Sequence, residues 1–513
     1  MSSYVSRAIL ASIFSVFSIW GFQINAVDSV SYLKHPLIFL SLAVCFYILI
    51  WLVDYLIERT EHLKEIKLSN PVIYISGLGI LLVWVVVWMA VFPGLAIYDG
   101  PSQLSQFKQG TISTHHPYIH SAFLALCDRL SVFCCFEDYS FYNSLIQLIF
   151  QWLCYIRLLF TMKRLKCKWI YIVLTIVYMA FYPPNAFLAL TTTKDTIFIG
   201  FFILLLCEIA RLYTDTNLSS VAVIRVIVFG TMMSIFRNNG IYVFVAAFPF
   251  ILMIRPKINQ RKWALIYFSV IILAMSYSGY VSDILHIRSG DAREALSVII
   301  QPLSRIYNSV PGQLSTDEIV RIQRIFGGNE TIQYVSYCSD YSKIVFDTDY
   351  FFDQFSENIK LYISLFFRYP SAYVDAWLAT NLGNYYPLES LPRYYKVYYE
   401  IPLQDQGHSL IPRFYSIIAD FAWNSSYRSS KLLTVWLNSG TSVWKLLYVI
   451  YFILKKRQND KIALCMFPLM LYGTLLLAAG TVIRYSQPIT MSIPLIFALA
   501  SSLDCRSTSI SRI

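Results

Sequence analysis

Long apolar runs, separated by short loops in which basic residues cluster, are the feature that most limits how this chain can fold. Runs of roughly 18–20 apolar residues recur, and a helix of that length crosses the ~30 Å hydrocarbon layer of a membrane. Helices are expected because a backbone exposed to lipid must satisfy its own hydrogen bonds. With 57% hydrophobic and 14% charged residues, the composition is far from that of a soluble domain. The sequence therefore predicts an all-α, polytopic membrane protein.

The apolar runs predict about twelve transmembrane helices. They are the segments 7–27, 36–56, 71–93, 141–160, 169–190, 196–213, 221–236, 240–254, 263–282, 436–454, 462–480 and 486–503. Two stretches affect this count. Segment 118–135 has Asp128 and Arg129 at its centre, and an ion pair at mid-bilayer is costly, so we expect a helix along the outer surface. Segments 221–236 and 240–254 are short enough to enter the membrane and return without crossing it.

Four basic clusters orient the chain: residues 57–66, 163–168, 255–262 and 455–461. Lys and Arg collect in cytoplasmic loops, and an even number of expected spans separates each cluster from the next. We therefore expect all four clusters and both termini to be cytoplasmic, in a cell-membrane protein. The net charge of +11 is explained by these loops, so no nucleic-acid partner is expected. The ten cysteines show neither disulfide nor metal spacing.

This topology divides the chain into four parts. Residues 1–70 contain two N-terminal transmembrane helices and a cytoplasmic loop. Residues 71–282 form a transmembrane core that includes a first external loop at 94–140. Residues 283–435 are expected to form a large external helical domain with juxtamembrane and amphipathic helices, and residues 436–513 contain the C-terminal transmembrane helices.

One helix of the external domain has recognisable ends. Ser315 and Glu318 have the spacing of a capping box, and Gly327 and Gly328 are expected to end the helix. Its apolar residues fall on one stripe, which we expect to pack against the rest of the domain; they are Ile319, Ile322, Ile325 and Phe326.

Asp99 is the first of several isolated charges at the expected outer face. It follows the third span and precedes a short helix that begins at Gly100 and ends at Gly110. One role is to cap that helix, because Asp is a preferred N-cap residue. The other is that of a general base, which accepts a proton from an acceptor hydroxyl at the membrane boundary. Gln103, in the same helix, is a candidate site-lining residue.

Three histidines follow in the same loop, at positions 115, 116 and 120. Metal ligation needs at least three convergent donors, and Asp99 would have to join His116 and His120 to supply them. We expect hydrogen-bonding or surface histidines instead, with His115 and His116 lining the site. No metal or other cofactor is predicted, and a divalent metal is the alternative.

The candidate cations lie at the same expected face. Lys194 and Asp195 are adjacent, so they cannot point the same way on a helix and should have different partners. Lys194 is a candidate for binding phosphate as a point charge, or for reaching toward lipid headgroups. Arg237 and Arg484 can hold phosphate through paired hydrogen bonds. Because Lys and Arg usually collect on the cytoplasmic side, basic residues at the outer face suggest a functional reason. Asp195 and Asn238 are candidate lining residues.

Six tyrosines fall within residues 384–400. Tyrosine is enriched where a protein meets the membrane interface, which is one interpretation of this stretch. Sugar binding is the other, because tyrosine has both a flat apolar face and a hydroxyl. Tyr385 and Tyr386 are the candidate site-lining members.

These motifs together resemble a known class of enzymes. An acidic residue soon after an early span, followed by His-Pro in the same outer loop, resembles the first external loop of GT-C glycosyltransferases, which include protein O-mannosyltransferases and aminoarabinose transferases. More closely, the chain resembles an uncharacterised family of bacterial polytopic membrane proteins with a GT-C-like pattern. The motifs are PGLAIYDGPSQ (93–103), HHP (115–117), TTTKD (191–195), RNNG (237–240), QPLSRIY (301–307) and RYSQP (484–488).

The resemblance implies a multi-span enzyme that takes a sugar from a polyprenyl-phosphate carrier at the outer face. It makes Asp99 the catalytic carboxylate and Lys194, Arg237 and Arg484 candidates for the carrier phosphate, with Arg305 as a further one. The chain departs from the pattern because Asp99 follows the third expected span rather than the first.

The expected function is therefore inverting sugar transfer to a cell-surface glycan or other acceptor, by an enzyme that works in the lipid bilayer. Two alternatives stay open. One is a polysaccharide polymerase or ligase that uses a lipid-pyrophosphate-linked oligosaccharide, and the other is a polytopic transporter or flippase.

Overall fold

The computed structural model describes residues 3–31, 35–64, 66–97, 99–134, 138–214, 219–253, 260–388, 408–423 and 431–502. Within these ranges the chain is built from helices, and the β-type pairing found there consists of isolated bridges rather than strands. The prediction of an all-α protein is confirmed for this part of the chain. The basic cluster at 255–262 lies largely outside the described residues, as do residues 389–400 of the tyrosine-rich stretch.

The first half of the described chain contains the helices α1 Ser3–Val27, α2 Pro36–Glu61, α3 Asn70–Ala90, α4 Gly100–Gln109, α5 Tyr118–Phe133, α6 Tyr139–Arg164, α7 Trp169–Phe181, α8 Pro183–Ala189, α9 Asp195–Arg211, α10 Ser220–Phe236, α11 Gly240–Ala247 and α12 Gln260–Ile284. The second half contains α13 Ser297–Ser309, α14 Thr316–Ile325, α15 Asp340–Lys343, α16 Thr348–Asp353, α17 Phe355–Arg368, α18 Pro370–Thr380, α19 Leu382–Tyr385, α20 Pro412–Trp423, α21 Lys431–Leu437, α22 Ser439–Lys455, α23 Ile462–Leu475 and α24 Ile483–Ser501. Short 3₁₀ turns occur at Phe248–Met253, Ala292–Ala295, Pro311–Gln313 and Asn459–Lys461.

Helices occupy all twelve predicted segments, but fewer of them meet the requirements for a membrane span. Among the described residues, α1, α2, α3, α6 and α12 are long and apolar enough to cross a membrane. A sixth is gained if α7 and α8 are counted together, although the chain bends by 53° between them, where Pro183 and Pro184 interrupt the helix. Helices such as α9 and α10 have 17 residues each, so they fall short of the usual length. Several candidate spans are thus present, and twelve are not established.

The helices have two distinct ends. At one end three of the four basic clusters meet: Lys163 donates to the side chain of Asn70 at 2.5 Å, Lys168 donates to the Leu63 carbonyl at 3.4 Å, and Lys455 pairs with Glu58 at 2.9 Å. We call this the basic end. Helices α3 and α6 extend from it to the opposite end of the bundle, so Asp99 lies at that opposite end. Helix α6 has 26 residues, which corresponds to a length of about 39 Å.

The two largest apolar cores organise much of the described chain. The larger one surrounds α9, which packs against α6, α10 and α24 and is buried along nearly its whole length. The second core lies within residues 296–373 and contains Ile300, Leu303, Ile306, Ile322, Ile325, Phe326, Phe351 and Leu365. The larger core fixes the N-terminus of α9, where Lys194 and Asp195 lie.

Helix α14 has the predicted ends. The backbone N–H of Ser315 donates to the Glu318 carboxylate at 2.9 Å, and the backbone N–H of Glu318 donates to the Ser315 hydroxyl at 3.2 Å. Gly327 and Gly328 end the helix with φ values of 67° and 77°, which glycine adopts without strain. The predicted capping box and apolar stripe are confirmed.

Within segment 118–135, residues Tyr118–Phe133 form the helix α5, which packs against α4 and α6. Asp128 pairs there with Lys108 at 2.8 Å, while Val132 and Phe133 are exposed. The prediction of a helix in this segment is confirmed.

Candidate functional site

Two chain segments run side by side at the opposite end and determine where Asp99 lies. Leu95 and Thr191 form a parallel bridge, and the Thr192 hydroxyl both accepts from the Ile97 N–H at 3.1 Å and donates to the Ile97 carbonyl at 2.9 Å. Because the segments are parallel, the residues that follow them also come together. Asp99 is therefore placed beside Lys194, although 95 positions separate the paired residues Ile97 and Thr192.

Polar side chains of α6 hold the second of these segments. Asn143, Ser144 and Gln147 donate to backbone carbonyls within residues 190–193, at 3.0, 3.0 and 3.1 Å. All three side chains are fully buried, so their hydrogen bonds offset the cost of removing polar groups from water. Sequence reasoning missed these residues. The signal that could have found them is a polar set spaced i, i+1, i+4 in an otherwise apolar helix.

Gly100 allows the two segments to approach closely. A Cβ atom at this position would stand 2.2 Å from the hydroxyl oxygen of Thr192 and 2.5 Å from its carbonyl oxygen. Since the second atom belongs to the backbone, a larger residue would force the segments apart.

Asp99 does not use its side chain to cap α4, although it occupies the N-cap position. Its carboxylate lies 3.8 Å from the Lys194 ammonium and 3.8 Å from the Arg484 guanidinium. Burial alone would raise the pKa of Asp99, but the charges of Arg484 and Lys194 outweigh it and hold the pKa below its usual value. The side chain keeps 39% of its surface exposed, so an ionised carboxylate faces accessible space.

Asp195 forms the buried half of the same cluster. Its carboxylate accepts a hydrogen bond of 2.6 Å from Arg237 and one of 2.9 Å from the Thr193 hydroxyl. Arg484 lies 3.5 Å away and therefore bridges Asp195 and Asp99. Arg237 also lies over the ring of Tyr485, with 4.2 Å between the guanidinium carbon and the ring centre. As expected, the neighbours Lys194 and Asp195 have different principal partners.

His116 completes the cluster on the side of Lys194. The ammonium of Lys194 lies 3.2 Å from Nδ1 of His116, which accepts the hydrogen bond when the ring is neutral. Burial and then the charge of Lys194 lower the pKa of His116 to about 3. The ring is therefore neutral at physiological pH, and its proton is on Nε2. Burial also lowers the pKa of Lys194, although Asp99 and Asp195 oppose this effect.

The other residues of this loop have supporting positions. Nδ1 of His120 lies 2.8 Å from the Gln103 side-chain oxygen, and both residues are buried. Asn238 donates to the carbonyls of Thr114 and His115, at 3.1 and 3.4 Å, which ties the loop to the turn between α10 and α11. His115 itself is exposed. In the part of the chain that the structure describes, no three His, Cys, Asp or Glu residues are grouped to hold a metal ion. His116, His120 and Asp99, the set named for the alternative of a metal, therefore do not form such a group there.

Arg305 is not part of the charged cluster. Its guanidinium donates to the Asp28 carboxylate at 2.7 Å and to the Tyr334 hydroxyl at 2.6 Å, and it lies 3.8 Å from Asp375. It also donates to the backbone carbonyl of Asp28. Arg305 therefore joins α13 to the segment after α1, and the structure does not bring it together with Lys194, Arg237 and Arg484.

Tyr385 and Tyr386 lie in a small core against α1. Their exposed fractions are 3% and 6%, and the ring of Tyr386 packs against Gly21. The backbone carbonyl of Tyr385 accepts a hydrogen bond of 2.8 Å from Trp444. These two rings fill the contact between helices, and the structure does not bring them together with the charged cluster.

A cavity of about 440 Å³ adjoins the cluster at His116. Its lining includes the polar residues Thr114, Asn238 and Ser278 and the apolar residues Ile235 and Met275. The cluster is therefore next to a space with a mixed polar and apolar lining.

These features define an all-α protein with several potential membrane-spanning helices and a charged cluster at one end of them. The family model described as Family of unknown function (DUF6020) matches residues 140–508, well over half of the chain, and the chain belongs to this family. The matched range includes Lys194, Arg237 and Arg484, and it begins after Asp99. No curated protein and no solved structure matches the chain.

Proposed function

We propose that the charged cluster is the active site of a membrane glycosyltransferase. The enzyme moves a sugar from a polyprenyl-phosphate carrier to a hydroxyl of a cell-surface glycan or another acceptor. The observation that carries this proposal is the accessible Asp99 carboxylate with two cations, Lys194 and Arg484, each 3.8 Å from it. In this arrangement an acceptor hydroxyl can bind at the Asp99 carboxylate while the donor phosphate binds at the two cations beside it.

The charge balance favours an anionic ligand. The cations Lys194, Arg237 and Arg484 face the carboxylates Asp99 and Asp195, and neutral His116 adds no charge. One positive charge is therefore left over. Arg237 is held close to Asp195, whereas Lys194 and Arg484 stand further from Asp99, so these two are the candidates to bind phosphate.

The chemical step needs one base and one set of cations. Asp99 takes the proton of the acceptor hydroxyl, and that oxygen attacks the anomeric carbon. The bond from this carbon to the phosphate oxygen breaks, and its electron pair leaves with the carrier phosphate. The anomeric configuration inverts because attack and departure occur on opposite faces. Lys194 and Arg484 stabilise the charge that grows on the departing phosphate.

The surroundings of the cluster suit a lipid-linked donor. The lining of the 440 Å³ cavity beside His116 includes apolar side chains of α10 and α12, against which isoprenoid units can pack. The Nε2–H group of His116 is available as a donor to a sugar or phosphate oxygen. Because the basic loops lie at the other end of the helices, the positive-inside rule assigns the cluster to the outer face, with both termini cytoplasmic.

A polysaccharide polymerase or ligase is the second candidate. Three cations around two carboxylates also suit the larger charge of a pyrophosphate-linked donor.

Reconstitution in nanodiscs tests both candidates. The full chain is incubated with polyprenyl-phosphate sugars labelled in the sugar, and in parallel with polyprenyl-pyrophosphate oligosaccharides. Release of carrier phosphate with transfer of label to an acceptor glycan is the expected result for the first set. Transfer from the pyrophosphate donors alone would establish the second candidate. Movement of intact labelled lipid across sealed vesicles, without bond cleavage, would contradict both.

A further inference from the structure

A second cavity lies away from the charged cluster, among α13, α17, α18 and the segment that follows α23. Its volume is about 210 Å³. Aromatic side chains form much of its wall; they are Tyr362, Phe366, Tyr373 and Trp377. The volume is below the roughly 300–1,000 Å³ of typical drug-sized sites, so it suits one ring rather than a long lipid chain.

Gln301 lines this cavity and has an unused acceptor. Its side-chain NH₂ group donates to the carbonyls of Val335 and Ser336, at 2.7 and 3.1 Å. Those two bonds fix the orientation of the amide, because the reversed orientation would set its oxygen against two carbonyl oxygens. The oxygen Oε1 has no hydrogen-bond partner, although the residue is only 1% exposed. In the wall of a cavity, an acceptor of this kind is open to a donor from a ligand or from water.

We propose that this cavity binds a single sugar ring of a glycan. The flat apolar face of the ring stacks on Trp377 and Phe366, and one ring hydroxyl donates to Oε1 of Gln301. Thr380 and Asn381 supply further polar groups at the wall. The pairing of aromatic faces with one fixed acceptor selects a ring that is apolar on one side and carries hydroxyls at its edge. An alkyl chain would leave the amide oxygen unsatisfied.

A short stretch of chain joins this cavity to the charged cluster. Ala478 lines the cavity, and Arg484 contacts Asp99. Six residues of extended chain span at most about 21 Å, so the two places are within reach of one short oligosaccharide. The backbone there is tied down, since Ser339 N–H donates to the Ala479 carbonyl at 2.9 Å. We assign the bound sugar to a part of the acceptor glycan that is remote from the reacting hydroxyl. This assignment rests on the proposed function, whereas the binding of a sugar in the cavity does not.

Saturation-transfer NMR on the full chain in nanodiscs tests this site, with methyl glycosides of glucose, galactose, mannose, rhamnose and N-acetylglucosamine as probes. Trp377→Leu is expected to weaken binding of the best glycoside about tenfold, because it removes the stacking face. Phe352→Leu is the matched control, since Phe352 is an exposed aromatic residue that stacks on Phe355 outside the cavity. Equal weakening by both variants, or no binding of any glycoside, would overturn the proposal.

A second pair of measurements protects the test against a folding defect of Trp377→Leu. Monodeoxy versions of the best glycoside should identify one hydroxyl whose removal weakens binding to the natural protein about tenfold. Gln301→Met keeps the side-chain length and removes the acceptor, so that hydroxyl should no longer matter. If the same hydroxyl still matters in Gln301→Met, the assignment is wrong. Asp99→Asn should still bind the glycoside, so failure of transfer and failure of this site are distinguishable.

Discussion

Two charged networks, at opposite ends of the helices, differ in how fully their carboxylates are engaged. At the basic end, Asp54 accepts hydrogen bonds from Tyr448 at 2.9 Å and Tyr451 at 2.6 Å. It also pairs with Arg7 at 2.9 Å and Lys455 at 3.0 Å, and it is 2% exposed. Both carboxylate oxygens are therefore in use, and the network ties α1, α2 and α22 together.

At the opposite end, Asp99 is held more loosely. Its ion pairs with Lys194 and Arg484 are 3.8 Å long, and 39% of its side chain is exposed. A satisfied buried network fixes packing, because each partner that is lost leaves an unpaired charge. A carboxylate with longer contacts keeps capacity to receive a proton. Contact length and exposure, more than the presence of charge, therefore separate a structural network from a candidate site.

Asp99→Asn should produce the largest effect on transfer. The amide cannot accept the hydroxyl proton, so we expect the rate to fall roughly 10²–10⁴-fold with little change in melting temperature. Sugar transfer in nanodiscs and thermal unfolding in detergent measure the two quantities. Asp128→Asn, the same exchange at the ion pair with Lys108, is the control and should leave transfer unchanged. A fully active, folded Asp99→Asn protein would exclude the role as base.

Asp54→Asn should show the reverse pattern. The substitution leaves Arg7 and Lys455 without their shared carboxylate, which for a buried pair costs about 3–5 kcal/mol of unfolding free energy. We expect a clear drop in melting temperature, while protein that remains folded keeps its rate of transfer. Loss of transfer with an unchanged melting temperature would contradict the division into a structural network at Asp54 and a catalytic one at Asp99.

Arg484→Gln should weaken donor binding by roughly 10–100-fold, seen as a higher KM for the polyprenyl-phosphate sugar, because a charged hydrogen bond to phosphate is lost. Arg305→Gln provides the comparison. Arg305 is already paired with Asp28 and Asp375, so its loss should lower stability and leave KM unchanged. An equal rise in KM for both variants would place Arg305 in the phosphate site after all.

The smallest effect concerns pH. Because the pKa of His116 is about 3 and that of Asp99 is held below its usual value, kcat/KM should show no step near pH 6.5. Lys194, whose pKa is lowered, loses its charge as pH rises, so activity should fall at a pH below 10.5. Lys194→Arg should move this fall to higher pH, since arginine stays protonated. A histidine-like step near neutral pH would contradict the neutral His116.

Sequence reasoning could place Asp99, Lys194, Arg237 and Arg484 at one end of the helices, because each lies at the edge of an apolar run and the basic clusters mark the other end. The capping box at Ser315 was equally accessible, since capping depends on residues only three positions apart. Both inferences use local patterns or the order of the spans. They need no knowledge of which helices touch.

The remaining features depend on those contacts. Arg305 pairs with Asp28, which lies 277 positions away in the sequence, and no local sequence pattern indicates such a pair. Tyr385 was predicted from an exposed-looking tyrosine run, yet its ring is enclosed where α19 meets α1. The twelve predicted spans exceed the five or six long apolar helices among the described residues, so that number stays a prediction. Hydropathy measures apolar character along the chain, whereas the proline pair that bends the chain between α7 and α8 and the 17-residue lengths of α9 and α10 limit which segments are long enough to span.

Gly100 gives the protein a genetic vulnerability that its charges do not reveal. A side chain there would push against the backbone of Thr192 and separate Asp99 from Lys194 without altering any charged atom. In a random screen for variants that are made and inserted but inactive, Gly100 should be recovered alongside the charged positions. A residue with no chemistry of its own would then appear, on a map of inactivating mutations, as part of the active site.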